Sequence, residues 1–223
     1  TLQHVKVPKA AYTPHDSIEI KSNAELAVFC SSSGSGSGTL EDPYIIENFQ
    51  ISGNSTGISI SNTNAYLCIL NNEISHQTGA IRINNVQNIN ISGNVIFSSD
   101  TGILIQDLKF SQISANTFEA CSCGIELSVA MNITFTNNSF TGCGISFNDG
   151  DNLTIDTSNK VNGKSVRYYE QQSHISLIDE PDVGQLILNG VNNSEFRGLN
   201  VSCGTAGITG MGSHFNTFSD IIS

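Results

Sequence analysis

Three acidic groupings are the first candidates for chemistry: His15-Asp16, Asp149-Gly150-Asp151 and Asp179-Glu180-Pro181-Asp182. Two carboxylates held a few ångströms apart can divide acid and base roles between them, as in glycoside cleavage. Each grouping also has a plainer reading. Asp149 and Asp151 flank a glycine, and aspartate is ordinary in such a turn. Their oxygens are too few to argue a calcium site. The stretch from Asp179 to Asp182 reads as a solvated acidic loop. Copper chemistry would need soft or imidazole ligands in a cluster. Here His4, His15, His76, His174 and His214 are scattered, and Met131 and Met211 stand alone. Cys121-x-Cys123 is too short for ordinary zinc ligation and has no histidine at ligand spacing. Lys160, Lys164, Arg167, Tyr168 and Tyr169 form a basic-aromatic patch suited to an acidic glycan or an acidic neighbour. A structural excursion is the preferred account of that patch. No catalytic residue, cofactor or metal ligand is therefore expected.

The cysteines number six: Cys30, Cys68, Cys121, Cys123, Cys143 and Cys203. An even count suits disulfides in an oxidising compartment, and the alternative is a set of small buried hydrophobes. Cys143 follows Cys121 by 22 residues and Cys123 by 20, and it precedes Gly144 as Cys123 precedes Gly124. A disulfide from Cys143 to Cys121 or to Cys123 is expected; Cys30, Cys68 and Cys203 have no assignable partner. Seven Asn-x-Ser/Thr sequons, at Asn54, Asn90, Asn132, Asn137, Asn152, Asn192 and Asn200, are candidate glycosylation sites.

A repeat must position all of these side chains. Asn72, Asn94, Asn116 and Asn138 recur every 22 residues. Gly57-Ile58, Gly79-Ala80-Ile81, Gly102-Ile103, Gly124-Ile125 and Gly144-Ile145 recur at steps of 22, 23, 22 and 20. Between them lie Asn88-Ile89-Asn90-Ile91, Asn132-Ile133-Thr134-Phe135 and Asn152-Leu153-Thr154-Ile155. A fixed period in this range marks a solenoid. The runs alternate with period 2, which means strand. Three short strands and three turns make one coil of a parallel β-helix, each strand pairing with its equivalent one coil away. The recurrent asparagine is expected to take the left-handed conformation of a tight turn and to stack in a ladder of amides.

The ends differ from the middle. Residues 1–40 read as strands at 5–7 and 18–20, then Ser22-Asn23 capping a short helix from Ala24 to Phe29, then a Ser/Gly tract. A helix there would cover the first coil and blunt its open edge. Residues 41–223 read as the coils, with an inserted excursion at 160–184. The last coil stops on Ile221-Ile222-Ser223. An uncovered terminal coil suggests head-to-tail assembly, with Cys30 and Cys203 able to lock neighbours.

Composition narrows the function classes. Nine Lys and Arg against 20 Asp and Glu give a net charge of −11. There is no basic footprint for nucleic acid. No run of 18 apolar residues is present to span a membrane.

Two longer stretches carry a resemblance. Tyr12-Thr-Pro-His-Asp-Ser-Ile-Glu-Ile20, Gly36-Ser-Gly-Thr39 and Asp42-Pro-Tyr-Ile-Ile-Glu-Asn48 are similar to the opening of the archaeal NosD-like right-handed β-helix proteins. Asn159-Lys-Val-Asn-Gly-Lys-Ser-Val-Arg-Tyr-Tyr169 resembles an insertion of the same group. His15-Asp16 is similar also to the Pro-His-Asp of alginate-epimerase β-helices, but it lies before the capping helix. The resemblance implies an all-β, right-handed parallel β-helix in an exported protein. Members include carbohydrate-active enzymes, a periplasmic copper-related protein and surface proteins without known catalysis. The expectation is a non-catalytic, extracellular structural protein of an archaeal cell envelope, self-assembling into a sheath or surface layer as a homo-polymer. The alternative is a module that binds or processes envelope glycans.

Overall fold

The computed structural model describes residues 12–33, 35–76, 78–201 and 205–222. The chain winds as a β-solenoid of about eight turns with about 22 residues per coil. The strand expected at 5–7 lies outside the described residues. Three ladders of parallel strands run the length of the regular part. The first joins Thr13–His15, Phe49–Gly53, Glu73–His76, Val95–Phe97, Thr117–Glu119, Ser139–Thr141 and Lys160–Val161. The second joins Ile18–Ile20, Thr56–Thr63, Gly79–Gln87, Thr101–Ile105, Cys123–Leu127 and Ile145–Phe147. The third joins Tyr44–Glu47, Leu67–Leu70, Ile89–Ser92, Leu108–Ser114, Ala130–Thr136 and Asp151–Ile155.

Alternation in sequence becomes alternation in space. Ile58, Ile81, Ile103, Ile125 and Ile145 sit in register, one coil above another, and all are fully buried. Each such side chain contributes about 1.5–3 kcal/mol by leaving water. Phe118 and Phe140 stack at 4.8 Å between ring centroids, with planes 7° apart, matching the natural spacing of strands. The glycines that open the second ladder make room for these rings. A methyl on Gly124 would lie 2.5 Å from the Phe140 ring, and one on Gly102 2.6 Å from Phe118.

The asparagine ladder is present and longer than the sequence suggests. Nδ2 of Asn72, Asn94, Asn116 and Asn138 donates to Oδ1 of the next rung at 3.0, 2.9, 3.1 and 2.8 Å. The last acceptor is Asn159, an unanticipated fifth rung. Each Oδ1 also accepts the backbone N–H of the rung before it. The second amide hydrogen goes to a carbonyl, of Ile46, Ile69, Ile91 and Ile113 in turn. One expectation needs correction. The left-handed residues are the predecessors of the rungs, Asn71, Gly93, Ala115 and Asn137, at φ 52°, 69°, 55° and 56°. The corner closes one residue earlier, which turns the rung side chain inward, where its amide can meet buried backbone groups.

The first coil carries the expected helix, Asn23–Ser33, four residues longer than anticipated at its C-terminal end. Ser22 Oγ accepts the Glu25 N–H at 3.2 Å, and the Glu25 carboxylate reaches back to the Lys21 N–H at 2.8 Å. This reciprocal capping fixes the helix start. Leu26 and Cys30 are its fully buried residues, and the helix packs on Tyr44–Glu47.

The solenoid changes character near residue 160. Lys160–Val161 turns back antiparallel on Lys164–Glu170, and that arm then pairs parallel with Val183–Asn189. Beyond it a separate short sheet joins Ser176–Ile178, Glu195–Arg197 and Thr217–Ser219. The lumen divides accordingly. One core runs from Ile18 to Val166 with Ile187, and a second comprises Leu177, Val183, Leu186, Leu188, Val191, Phe196, Leu199 and Val201.

Candidate functional site

An open groove of about 390 Å³ crosses five successive coils on the outer face of the third ladder. Leu40, Pro43 and Tyr66 form one side. Cys68, Asn90 and Gln112 project from paired positions of adjacent strands. Asn88, Phe110 and Asn132 mark the corner beside them. Among the described residues no carboxylate or cationic side chain lines the groove.

The corner explains how the groove obtains its aromatic floor. Asn88, Phe110, Asn132 and Asn152 are equivalent positions on consecutive coils, at φ 59°, 51°, 56° and 52°. Asparagine adopts this conformation readily, because its amide compensates locally. A bulky phenylalanine does not, and holding it there costs on the order of 1–3 kcal/mol. Phe110 is nevertheless 56% exposed. Strain and exposure at one aromatic residue both oppose stability, so neither packing nor turn chemistry accounts for it.

The polar groups around the ring are held in different ways. Ser111 Oγ accepts the Ile89 N–H at 3.1 Å and donates to the Lys109 carbonyl at 2.7 Å. Asn88 Nδ2 donates to the Asn64 carbonyl at 2.9 Å. Asn90 Oδ1 is buried without a hydrogen-bond partner. Gln112 is exposed. Burial pushes the Cys68 thiol up, so it stays neutral. The result is an uncharged surface of rings, amides and hydroxyls. A flat apolar face with planar donor–acceptor pairs beside it suits a pyranose, whose faces present C–H groups and whose rim presents hydroxyls.

The acidic and basic groupings of the sequence lie elsewhere and do structural work. His15 Nδ1 hydrogen-bonds the Asp16 carbonyl, not its carboxylate, at 2.7 Å. Its ring packs on Phe29 and Phe49, at 5.8 and 4.5 Å between centroids. Asp149 and Asp151 are exposed at the turn into Asp151–Ile155. Asp182 accepts Ser165 Oγ–H at 2.6 Å and faces Lys160 Nζ at 3.6 Å. The Ser165 bond first, and then Lys160, hold its carboxyl below the usual value. Lys164 Nζ donates to the Asn200 carbonyl at 3.3 Å. Burial pushes the Tyr168 phenol up, and the ring packs on Phe147. These contacts fasten the hairpin at 160–170.

Cys68, Cys121, Cys123 and Cys143 are free thiols and Cys30 is in no disulfide, which corrects the disulfide framework expected from the even count; Cys203 lies outside the described residues. Cys30 is buried in the capping helix, and Cys68 projects from a strand into the groove. Of the two partners expected for Cys143, the structure brings Cys121 against it. Phe118 pairs with Phe140 and Glu119 with Thr141, so the two cysteines close equivalent corners. The same corner carries Ser99 and His76 one and two coils earlier, and all four are buried. The His76 N–H donates to Ser99 Oγ at 3.0 Å. Cys123 instead starts the next strand, where its thiol donates to the Ile125 carbonyl at 3.3 Å.

The sequons differ in freedom. Asn54 and Asn137 are exposed at turns. Asn132 and Asn152 hydrogen-bond one another through their side chains. Asn192 Oδ1 accepts the His214 N–H at 2.9 Å. Tyr66, Phe110 and Gln112 are the site residues that motif reading misses. The spacing held one signal: Phe110 lies 22 residues after Asn88 and 22 before Asn132, in an asparagine position.

Fold and groove together define a parallel β-helix with a neutral, amide- and ring-lined outer face. Residues 15–166 match the family described as periplasmic copper-binding protein (NosD), and the chain belongs to that family. No curated protein and no solved structure matches it. The described residues do not fit a copper centre. Nowhere among them do three His, Cys, Asp or Glu side chains converge. Met131 is exposed on the outer surface, and His76 is buried at its corner beside Ser99.

Proposed function

We propose that this chain is a non-catalytic, glycan-binding β-helix of the cell envelope, with the groove around Phe110 as its saccharide site. The observation that carries this is Phe110 itself, an exposed ring in a backbone position that its neighbours fill with asparagine. The absence of any carboxylate in the groove lining favours binding over glycoside cleavage, which needs a proton donor at the scissile oxygen. The family's periplasmic description favours a compartment outside the cytoplasmic membrane, where such polymers occur. Among the described residues no helix is long and apolar enough to cross a membrane. The groove spans several coils, so a chain of sugars would lie along the solenoid axis.

Glycan-array screening followed by calorimetric titration with the best oligosaccharide tests this. Binding should be lost in Tyr66→Ala and in Phe110→Asn while both proteins stay folded. Undiminished binding in both variants would move the site elsewhere; no binding to any neutral or acidic glycan would remove the reading. The rival reading, a subunit that self-assembles into a sheath or surface layer, is separated by electron microscopy of the native material, which would show filaments or sheets.

A further inference from the structure

The buried corner formed by His76, Ser99, Cys121 and Cys143 has no part in the groove. Its last two members are thiols on adjacent coils, 4% and 0% exposed, in register through the flanking pairs Phe118–Phe140 and Glu119–Thr141. We propose that Cys121 and Cys143 are a redox pair that closes to an inter-coil disulfide by exchange with a small-molecule disulfide.

Geometry selects this pair over Cys123–Cys143. Two registers compete at this point in the chain. The first ladder aligns residue 121 with residue 143, whereas the second aligns Ile125 with Ile145, two residues tighter. Cys143 belongs to the corner that ends the first ladder. Its thiol lies beside that of Cys121, close enough for each to shift the other. Cys123 instead directs its thiol to the Ile125 carbonyl at 3.3 Å and the Gly144 carbonyl at 4.0 Å.

The two thiols are also unequal. The neighbouring Cys143 thiol, with help from the backbone of Ser99, holds the Cys121 thiol below its ordinary value, and Cys143 is correspondingly raised. The thiol that gives up its proton more readily is the better attacking group. Cys121 sits between two exposed residues, Ala120 and Ser122, at the outer bend of the coil. In the first step the Cys121 thiolate attacks one sulfur of the small-molecule disulfide. A mixed disulfide forms, and one small thiolate leaves. That thiolate takes the proton of Cys143. In the second step Cys143 attacks Cys121 Sγ and expels the second small thiolate. Two electrons pass from the pair to the oxidant, giving one protein disulfide and two small thiols.

The test uses the whole reduced protein and oxidised glutathione. Cleavage after glutamate leaves residues 120–126 and 127–170 on separate peptides, so a Cys121–Cys143 link joins them. Mass spectrometry should find that link in the wild type and in Cys123→Ser, and lose it in Cys121→Ser. The oxidised protein should melt several degrees higher than the reduced one, and reductant should reverse the shift. Glutathione-treated Cys123→Ser that keeps its β-sheet circular dichroism but shows no link would overturn the proposal. So would a wild-type link that fragmentation assigns to Cys123. Should Cys123→Ser not fold, fragmentation between Cys121 and Cys123 in the wild-type peptide decides the same question.

Discussion

Asn116 Oδ1 accepts two hydrogen bonds from Asn94, one from its backbone N–H at 3.0 Å and one from its side-chain amide at 2.9 Å. Asn116 Nδ2 in turn donates to Asn138 Oδ1 and to the Ile91 carbonyl. One buried side chain therefore satisfies polar groups on both neighbouring coils. Replacing it with leucine leaves several of them unpaired in the lumen. We expect Asn116→Leu to destabilise the protein by about 2–4 kcal/mol. Ser111 is a poor control, since it anchors Ile89. Exposed Thr141→Ala should change stability by less than about 0.5 kcal/mol. Urea denaturation of the two variants compares them, and equal midpoints would remove the ladder's energetic role.

Phe110→Asn should act oppositely on stability and on binding. Asparagine relieves the left-handed strain and matches Asn88 and Asn132, so the melting temperature should hold or rise, by about 1 kcal/mol or less in free energy. Saccharide binding should fall at the same time. Thermal melting checks the first half, and a loss of stability would show that the ring is packed for structure.

Acid should weaken the fold through His76. Burial lowers its pKa, and the backbone of Ser55 opposes this only in part. The unfolded chain therefore binds the proton more readily, with an ordinary value near 6.5. The stabilisation is complete above that value and is lost as pH falls through it toward the lower folded value. The melting temperature of the wild type should drop between about pH 7 and pH 5, and His76→Leu should show a smaller drop. Parallel pH curves for the two proteins would contradict this.

Glycosylation, where the host performs it, should favour Asn54 and Asn137. Both are exposed at turns, whereas Asn132 and Asn152 are tied to each other and Asn90 has its carbonyl oxygen buried. Site-resolved mass spectrometry of the native protein gives the occupancies. Sugar on Asn132 would also cover the proposed groove.

The 22-residue period made the solenoid readable, because each coil repeats one physical problem and solves it with the same residue types. Asn72, Asn94, Asn116 and Asn138 announced their ladder directly. Asn159 did not, since its step is 21 and it stands beside the irregular stretch that opens at Lys160. The left-handed positions, one residue before the rungs, are not legible for a related reason: Gly93 and Ala115 hold corners that asparagine holds elsewhere, so no single residue type marks them. The groove was hidden because Tyr66 and Phe110 come to line one surface only once coils are stacked. The choice between Cys121 and Cys123 required knowing which of two ladders sets the register at Cys143.

The division of the lumen into two cores gives the molecule a seam. In an unbroken solenoid each coil supports the next, and the array opens as a unit. Here the antiparallel hairpin at 160–170 interrupts that relay, and the rungs of the amide ladder stop at Asn159. The coils beyond rest on a core of eight buried residues, Leu177 through Val201, against a far larger one before it. With the smaller buried core, they are expected to open before the rest of the chain. Under tension they would peel away first, as a fuse that yields while the groove and its scaffold stay intact.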